Sequence, residues 1–412
     1  MSQTKNDLSI DFCGFQLRSP FLIASAPPAA KGGMIKRAFR EGWAGVVLKT
    51  TIMDPSSWSN VTPRFASLSY QKNKGGSKNI YAFENIELGT MRSHEEWYKD
   101  IEDLRKNFPD RLIVASIMGD ATDPHDWQEL ARRYAAAGAH MIELNMSCPH
   151  GLTETGGMGA AVGQNAELSA RVTGWVREAI EIPVISKMTA NAPDVAYVAK
   201  SCVEAGADGI AAINTLPGIM GVDLETLVPF PNVGGRSAYG GLSGPAVKPV
   251  ALRSVASIAQ TSNVPISGIG GISSWGDVAE FLLLGSSTVQ LCTSVMTDGY
   301  GIIKDLENGL HQYMNKKGFG STTEMVGAAL KNLVPFADLS PAYVVRAKID
   351  KKTCIQCDRC RISCGDAGSQ AISRSKDGTY EVKERLCTGC SLCQQVCPVD
   401  GCIIMEPVSA FA

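Results

Sequence analysis

At 412 residues, with 44% hydrophobic and 19% charged residues, the chain is globular and long enough for two domains. Lys+Arg 39 against Asp+Glu 41 gives a net charge of −2, which leaves no electrostatic case for nucleic acid or an anionic membrane. The N-terminus MSQTKNDLSI has no apolar signal core, and no run approaches the roughly 18 apolar residues of a membrane span, so a cytoplasmic protein is expected.

Residues 1–19 come first: Leu8–Phe12 and Phe15–Leu17 flank Cys13-Gly14 and read as a small hairpin plugging the floor of the large domain beyond it. From 20 to 310, short β-branched or apolar runs alternate with helical stretches. The predicted strands are Pro20–Ala24, Gly45–Lys49, Leu112–Ile117, Met141–Asn145, Pro183–Lys187, Gly209–Ile213, Pro265–Gly268 and Thr288–Leu291. Helices are predicted between them, among others Asp126–Ala137, Leu168–Ile180, Val195–Ala205, Val247–Gln260 and Trp275–Leu284. This is the arithmetic of an α/β protein built as a (β/α)8 TIM barrel. A doubly wound sheet is disfavoured, because no Gly-rich dinucleotide turn follows the first strand. Residues 311–345 read as a helical connector, and a compositional break opens a cysteine-rich domain over 346–412.

Of the 13 cysteines, eight lie from Cys354 to Cys397, while Cys13, Cys148, Cys202 and Cys292 are scattered. Without a secretion signal, such a cluster means metal or redox chemistry rather than disulfides. The two runs are Cys354-x2-Cys357-x2-Cys360-x3-Cys364 and Cys387-x2-Cys390-x2-Cys393-x3-Cys397-Pro398. Three thiolates of a run surround one [4Fe–4S] cubane, and the fourth reaches the neighbouring cluster. Cys354, Cys357, Cys360 and Cys397 are thus expected on one cluster, and Cys387, Cys390, Cys393 and Cys364 on the other. Zinc would need two pairs of ligands, not two triplets each with a trailing fourth. The domain is therefore expected to be ferredoxin-like, of small α+β type, with Cys402 as a core residue.

Barrel enzymes place their chemistry at the C-terminal ends of the strands. Those ends carry Ala24-Ser25, Lys49-Thr50, Asn145 through His150, Lys187-Met188-Thr189, Asn214-Thr215, Gly270-Gly271 and Cys292-Thr293. Gly270 and Gly271, leading into a helix at Ser273, suit a phosphate held by backbone N–H groups, and residues 292–294 would complete that cradle. The thiols of Cys202 and Cys292 themselves read as packing. Cys148, in a polar element after strand four, fits a proton donor, and His150 either assists it or caps the loop.

The stretches Asn85-Ile86-Glu87-Leu88, Ala115-Ser116-Ile117-Met118-Gly119, Glu143 through Gly151, Ile213-Asn214-Thr215 and Tyr239 through Gly244 resemble dihydropyrimidine dehydrogenase over nearly the whole chain. The likeness corresponds end to end to the catalytic subunit of the bacterial two-subunit, NAD-dependent enzyme. The barrel also resembles dihydroorotate dehydrogenase through Asn145-Met146-Ser147-Cys148-Pro149. The resemblance implies an FMN site formed by Ala24, Ser25, Lys49, Asn85, Asn145, Lys187, Asn214, Gly244, Gly270, Gly271, Cys292 and Thr293. It implies a pyrimidine held by Asn85, Glu87, Asn145, Asn214 and Thr215. It also implies that Cys148 protonates C5 of uracil or thymine while FMN delivers hydride to C6, with electrons arriving through the two clusters. Residues 217–236, expected over the ring, diverge from the family pattern, as does the loop 151–159.

Two other readings stand beside this one: a dihydroorotate-type or other cyclic-amide ene reductase, and a non-catalytic electron-transfer subunit. No G-x-G-x-x-G turn joins a strand to a helix anywhere in the chain, so a partner flavoprotein binding FAD and NAD(P) is expected to supply the electrons.

Overall fold

The computed structural model describes residues 6–70, 79–146 and 159–408. The chain divides into two compact units, 1–332 and 333–412. Among the described residues, no helix is long and apolar enough to cross a membrane.

The first unit is a closed barrel of eight parallel strands. In chain order they are Phe21–Ile23, Gly45–Val47, Leu112–Ile117, Met141–Asn145, Val184–Met188, Gly209–Ala212, Ile266–Ile269 and Thr288–Leu291, hereafter barrel strands 1 to 8. Each pairs with the next, and strand 8 closes on strand 1 with Val289 opposite Phe21. All eight predicted strands are present, three with the predicted bounds and five with an end shifted by one or two residues. They form because short runs rich in Val, Ile, Leu and Ala, buried on both faces, suit a parallel sheet covered by helices. The helices start where their sequences cap them: Ser93 and Ser274 each make a reciprocal capping box, and Asp123, Asn165 and Asp194 each accept from a first-turn N–H.

Ile10–Phe12 and Phe15–Leu17 form the antiparallel hairpin, turning at Cys13 and Gly14, both with positive φ (51° and 81°). Phe12 and Leu17 are buried with Leu112, Met141, Ile185 and Ala211, residues of strands 3 to 6, so the hairpin does seal the barrel floor. At the other end the helix Ile302–Lys317 runs straight across residue 310, where composition and periodicity set the barrel's limit. Beyond it come only the short turns Thr322–Met325, Leu330–Asn332 and Phe336–Asp338, so little of 311–345 is a helix of its own.

A second sheet is invisible to sequence pattern. Phe65–Tyr70, Asn79–Asn85, Gly240–Ser243 and Leu216–Gly218 form a four-stranded antiparallel sheet. Two of its strands, Leu216–Gly218 and Gly240–Ser243, are short and glycine-containing, and the pairing that joins its halves links Asn85 to Gly241, so no local pattern announces the sheet. Gly241 stands opposite Asn85 and needs to be glycine: a Cβ there would lie 2.4 Å from Thr215 Oγ1.

In the second unit Val345–Ile349 pairs with Ile403–Pro407, and Ile372–Arg374 with Tyr380–Val382. Two helices, Arg359–Ala367 and Leu392–Gln395, follow the two cysteine runs. Gln356 and Asp358 in the first run have positive φ, as do Gly389 and Ser391 in the second, at the same offset that separates Cys354 from Cys387. The two halves are therefore one loop design used twice.

Candidate functional site

The barrel mouth holds a cavity of about 390 Å³, in the range of cofactor and substrate pockets. Fourteen residues expected at the site line it: Ala24 and Ser25 after strand 1, Lys49 after strand 2, Asn145, Lys187, and Asn214 with Thr215 after strand 6. Asn85 and Glu87 come from the second sheet and the loop behind it, and Gly244, Gly270, Gly271, Cys292 and Thr293 complete the ring. Cys148 and His150 lie outside the described residues, as does nearly all of the loop 151–159.

The polar groups at the strand ends form a continuous chain. Ser25 Oγ and Thr50 Oγ1 are 3.1 Å apart, and Thr50 Oγ1 and Ser116 Oγ 2.9 Å. Asn145 Nδ2 donates to Thr50 Oγ1 at 3.0 Å, and Asn214 Nδ2 donates to Asn145 Oδ1 at 2.9 Å. Five strand ends are thereby locked in one arrangement, with the asparagine amides oriented by their neighbours. Buried polar groups so paired rigidify a site, whereas unpaired ones would weaken it.

Beside this chain, Lys49 Nζ donates to Glu87 Oε2 at 2.8 Å and Arg64 Nε donates to Oε1 at 3.0 Å. The family resemblance puts Lys49 at the flavin and Glu87 at the pyrimidine; the structure joins them in one ion pair. Arg64 is an addition to the expected set, because nothing near it in sequence marks it as part of a site. Asn85 accepts from Glu87 N at 3.3 Å and donates to Gly241 O at 3.3 Å.

Two further residues lie outside the expected site set, Glu143 and Gln290. Lys187 Nζ donates to Glu143 Oε1 at 3.3 Å, and Gln290 Nε2 donates to Glu143 Oε2 at 3.2 Å. All three are buried. Removing one partner of such a pair typically costs about 3–5 kcal/mol, since a buried charge is left uncompensated. A strand read by hydrophobicity alone hides them: Glu143 and Lys187 sit among apolar neighbours and show only as interruptions of the pattern.

The glycine turn fits a flavin phosphate. Gly270 and Gly271 have φ of 130° and 76°, and a Cβ on Gly271 would meet Lys248 N at 2.8 Å and Gly244 O at 2.9 Å. Chain segments that close bring the backbone to the cavity surface, where N–H groups can meet an anion. Ser294 Oγ and Gln290 Oε1, both buried, have no hydrogen-bond partner among the described residues and are available to a bound group. Burial pushes the Cys292 thiol up to about 12, so it packs as a neutral group. One expectation needs correcting. The two N–H groups just before the helix that starts at Trp275 are not available to a phosphate, because Asp277 Oδ2 already accepts from Ser273 N at 2.9 Å and Ser274 N at 2.8 Å. Burial alone would raise the Asp277 carboxyl; its bonds to Lys248, Ser273 and Ser274 outweigh this and hold it below the usual range. The cradle is thus the Gly270-Gly271 turn with Thr293 and Ser294, without the N–H groups of Ser273 and Ser274.

In the second unit, two small cavities divide the cysteines. One is lined by Cys354, Cys357, Cys360 and Cys397, the other by Cys364, Cys387, Cys390 and Cys393. This is the crossed partition that the spacing implied, and thiolates at the rim of a shared cavity suit the corners of a cubane. Cys402 is buried, as expected, and also borders the first cavity.

The model of the family described as dihydroorotate dehydrogenase matches residues 7–314, and the 4Fe-4S dicluster domain matches 347–405. The NAD-dependent dihydropyrimidine dehydrogenase subunit PreA of Escherichia coli K12 is 41% identical over 406 residues, 98% of this chain and 96% of that protein. The chloroplastic dihydropyrimidine dehydrogenase (NADP(+)) of Arabidopsis thaliana is 41% identical over 344 residues, 82% of this chain and 80% of its own. The catalytic subunit of dihydroorotate dehydrogenase B (NAD(+)) from Methanothermobacter thermautotrophicus is 33% identical over 322 residues, 78% of this chain and 98% of its own.

Proposed function

The chain belongs to the dihydropyrimidine dehydrogenase family, and from that premise we propose that it reduces the 5,6 double bond of uracil or thymine as the catalytic subunit of a two-subunit enzyme. The observation that carries this reading is the convergence of Asn85, Glu87, Asn145, Asn214 and Thr215 on one cavity that also holds two lysines and a glycine phosphate cradle. When bound, FMN supplies the hydride for C6 of the pyrimidine, and two [4Fe–4S] clusters supply its electrons one at a time.

The protein's own groups do the rest. A pyrimidine edge alternates N–H and C=O, so it needs acceptors and donors in alternation. The asparagine amides offer both, and the Glu87 carboxylate accepts only. Lys49 and Arg64 hold one Glu87 oxygen each, which fixes that carboxylate in place as an acceptor for a ring N–H. Lys187 presents a cation to the ring system where reduction adds negative charge. Cys148 holds the proton that goes to C5; an ordinary thiol, with a pKa of about 8.5, still carries it at neutral pH. His150 is placed beside it in this reading as an assistant in proton transfer.

Electrons come from a partner flavoprotein carrying FAD and an NAD(P) site, in keeping with the Escherichia coli relative being named a subunit of an NAD-dependent enzyme. A second reading, a dihydroorotate-type substrate, is favoured by the match of the whole barrel to that family. Anaerobic mixing of the reduced protein with pyrimidines decides between them. Uracil or thymine should reoxidise the flavin, faster than orotate does. Reoxidation by orotate alone would establish the second reading, and none with any pyrimidine would leave an electron-transfer subunit.

A further inference from the structure

Glu143 is fully buried in barrel strand 4 and does not line the cavity, whereas both of its partners, Lys187 and Gln290, do. Two residues on, Asn145 stands opposite Lys187 and reaches the cavity. Successive residues of a strand alternate faces, so Glu143 shares Asn145's inward face one layer deeper. Its two oxygens are both engaged, one by the Lys187 ammonium at 3.3 Å and one by the Gln290 amide at 3.2 Å. Gln290 is in turn anchored on Ser267 Oγ at 3.2 Å. A barrel layer is ordinarily filled by branched apolar side chains, and a carboxylate there is costly unless something requires it.

We infer that Glu143 is a positioning residue that sets the reduction potential of the bound flavin: it fixes Lys187 at the cavity wall and offsets much of its charge. A lone cation beside the flavin would stabilise the added negative charge and make the reduced form a poor hydride donor. A carboxylate directly behind that cation, in an interior where water screens little, weakens the pull and keeps the flavin strongly reducing. The inference rests on FMN binding and not on which pyrimidine is reduced, so its test uses no substrate.

The full-length protein, loaded with FMN, is titrated anaerobically against reference dyes to obtain the two-electron midpoint potential. Glu143→Gln should shift the flavin equilibrium about tenfold towards the reduced form, which is about 30 mV for a two-electron couple. Lys187→Met should shift it the opposite way, and the double variant should return close to the parent, because both halves of a neutral pair are gone. A Glu143→Gln potential equal to or below that of the parent would overturn the assignment. Should that variant fail to hold FMN, the double variant compared with Lys187→Met reads the same charge. The double must then lie at the higher potential, and equality would overturn the inference equally.

Discussion

In the cysteine-rich unit the eight candidate ligands come from two stretches of chain, and one backbone turn serves both, with positive φ at Gln356 and Asp358 in the first run and at Gly389 and Ser391 in the second. At the barrel mouth no such economy exists. Ser25, Thr50, Ser116, Asn145 and Asn214 meet from five strands, joined by hydrogen bonds between residues as much as 95 positions apart. One unit stores its site in local spacing, the other in tertiary placement. Errors should therefore behave differently: a change in the cysteine runs acts all or none on a cluster, while a change in the barrel weakens a network by degrees.

The crossed partition of the cysteines gives the largest expected effect. Cys397→Ala, in the second run, should abolish the cluster whose other ligands, Cys354, Cys357 and Cys360, lie in the first, and Cys364→Ala should abolish the other one. Iron content and low-temperature EPR of the reduced variants check this. If Cys397→Ala instead removed the cluster of its own run, the two halves would be independent sites and the likeness to a crossed pair would fail.

Cys148→Ala sharpens the barrel side of the comparison. Loss of a positioned proton donor should lower kcat by about 10²–10⁴, with FMN content and KM for uracil little changed. Steady-state kinetics with a chemical reductant, which bypasses the partner, measures it. An unchanged kcat would move the proton donor to another residue, with His150 the first to examine.

The smallest effect is expected at Asp277, which binds structure rather than substrate. Asp277→Ala removes the cap of the helix Trp275–Leu283 and the partner of Lys248, at a cost of about 0.5–2 kcal/mol. Its carboxyl is held below the ordinary range in the folded state, so the stabilisation is present above a pH of about 4 and is lost as pH falls through the folded value. Thermal unfolding of parent and variant at pH 7 should differ, and the difference should shrink as the pH falls below 4. A constant difference across that range would assign the cost to packing.

The same division explains what the sequence disclosed. Eight barrel strands were legible because each is a short apolar run bounded by turns, and the cluster ligands because two- and three-residue gaps need no fold to be read. Strand ends pointed to most of the cavity wall, since a barrel always turns those ends to its mouth. Arg64, Glu143 and Gln290 were not legible. Each acquires its role only from a partner supplied by another strand or by the second sheet, and hydrophobic periodicity treats a charge inside a strand as noise. The joining of that sheet's two halves stayed hidden because it pairs Asn85 with Gly241, beyond the reach of any local pattern.

The hairpin at residues 10–17 has a kinetic meaning. With Phe12 and Leu17 packed into the barrel floor, traffic into this cavity is confined to the end where the strands finish. If the chain reduces pyrimidines as proposed, the dihydropyrimidine must depart through the same doorway by which the next pyrimidine enters. Turnover becomes a queue: accumulated product should act as a competitive inhibitor against the pyrimidine, and crowding of that doorway, rather than the bond-making step, would limit flux when product is abundant.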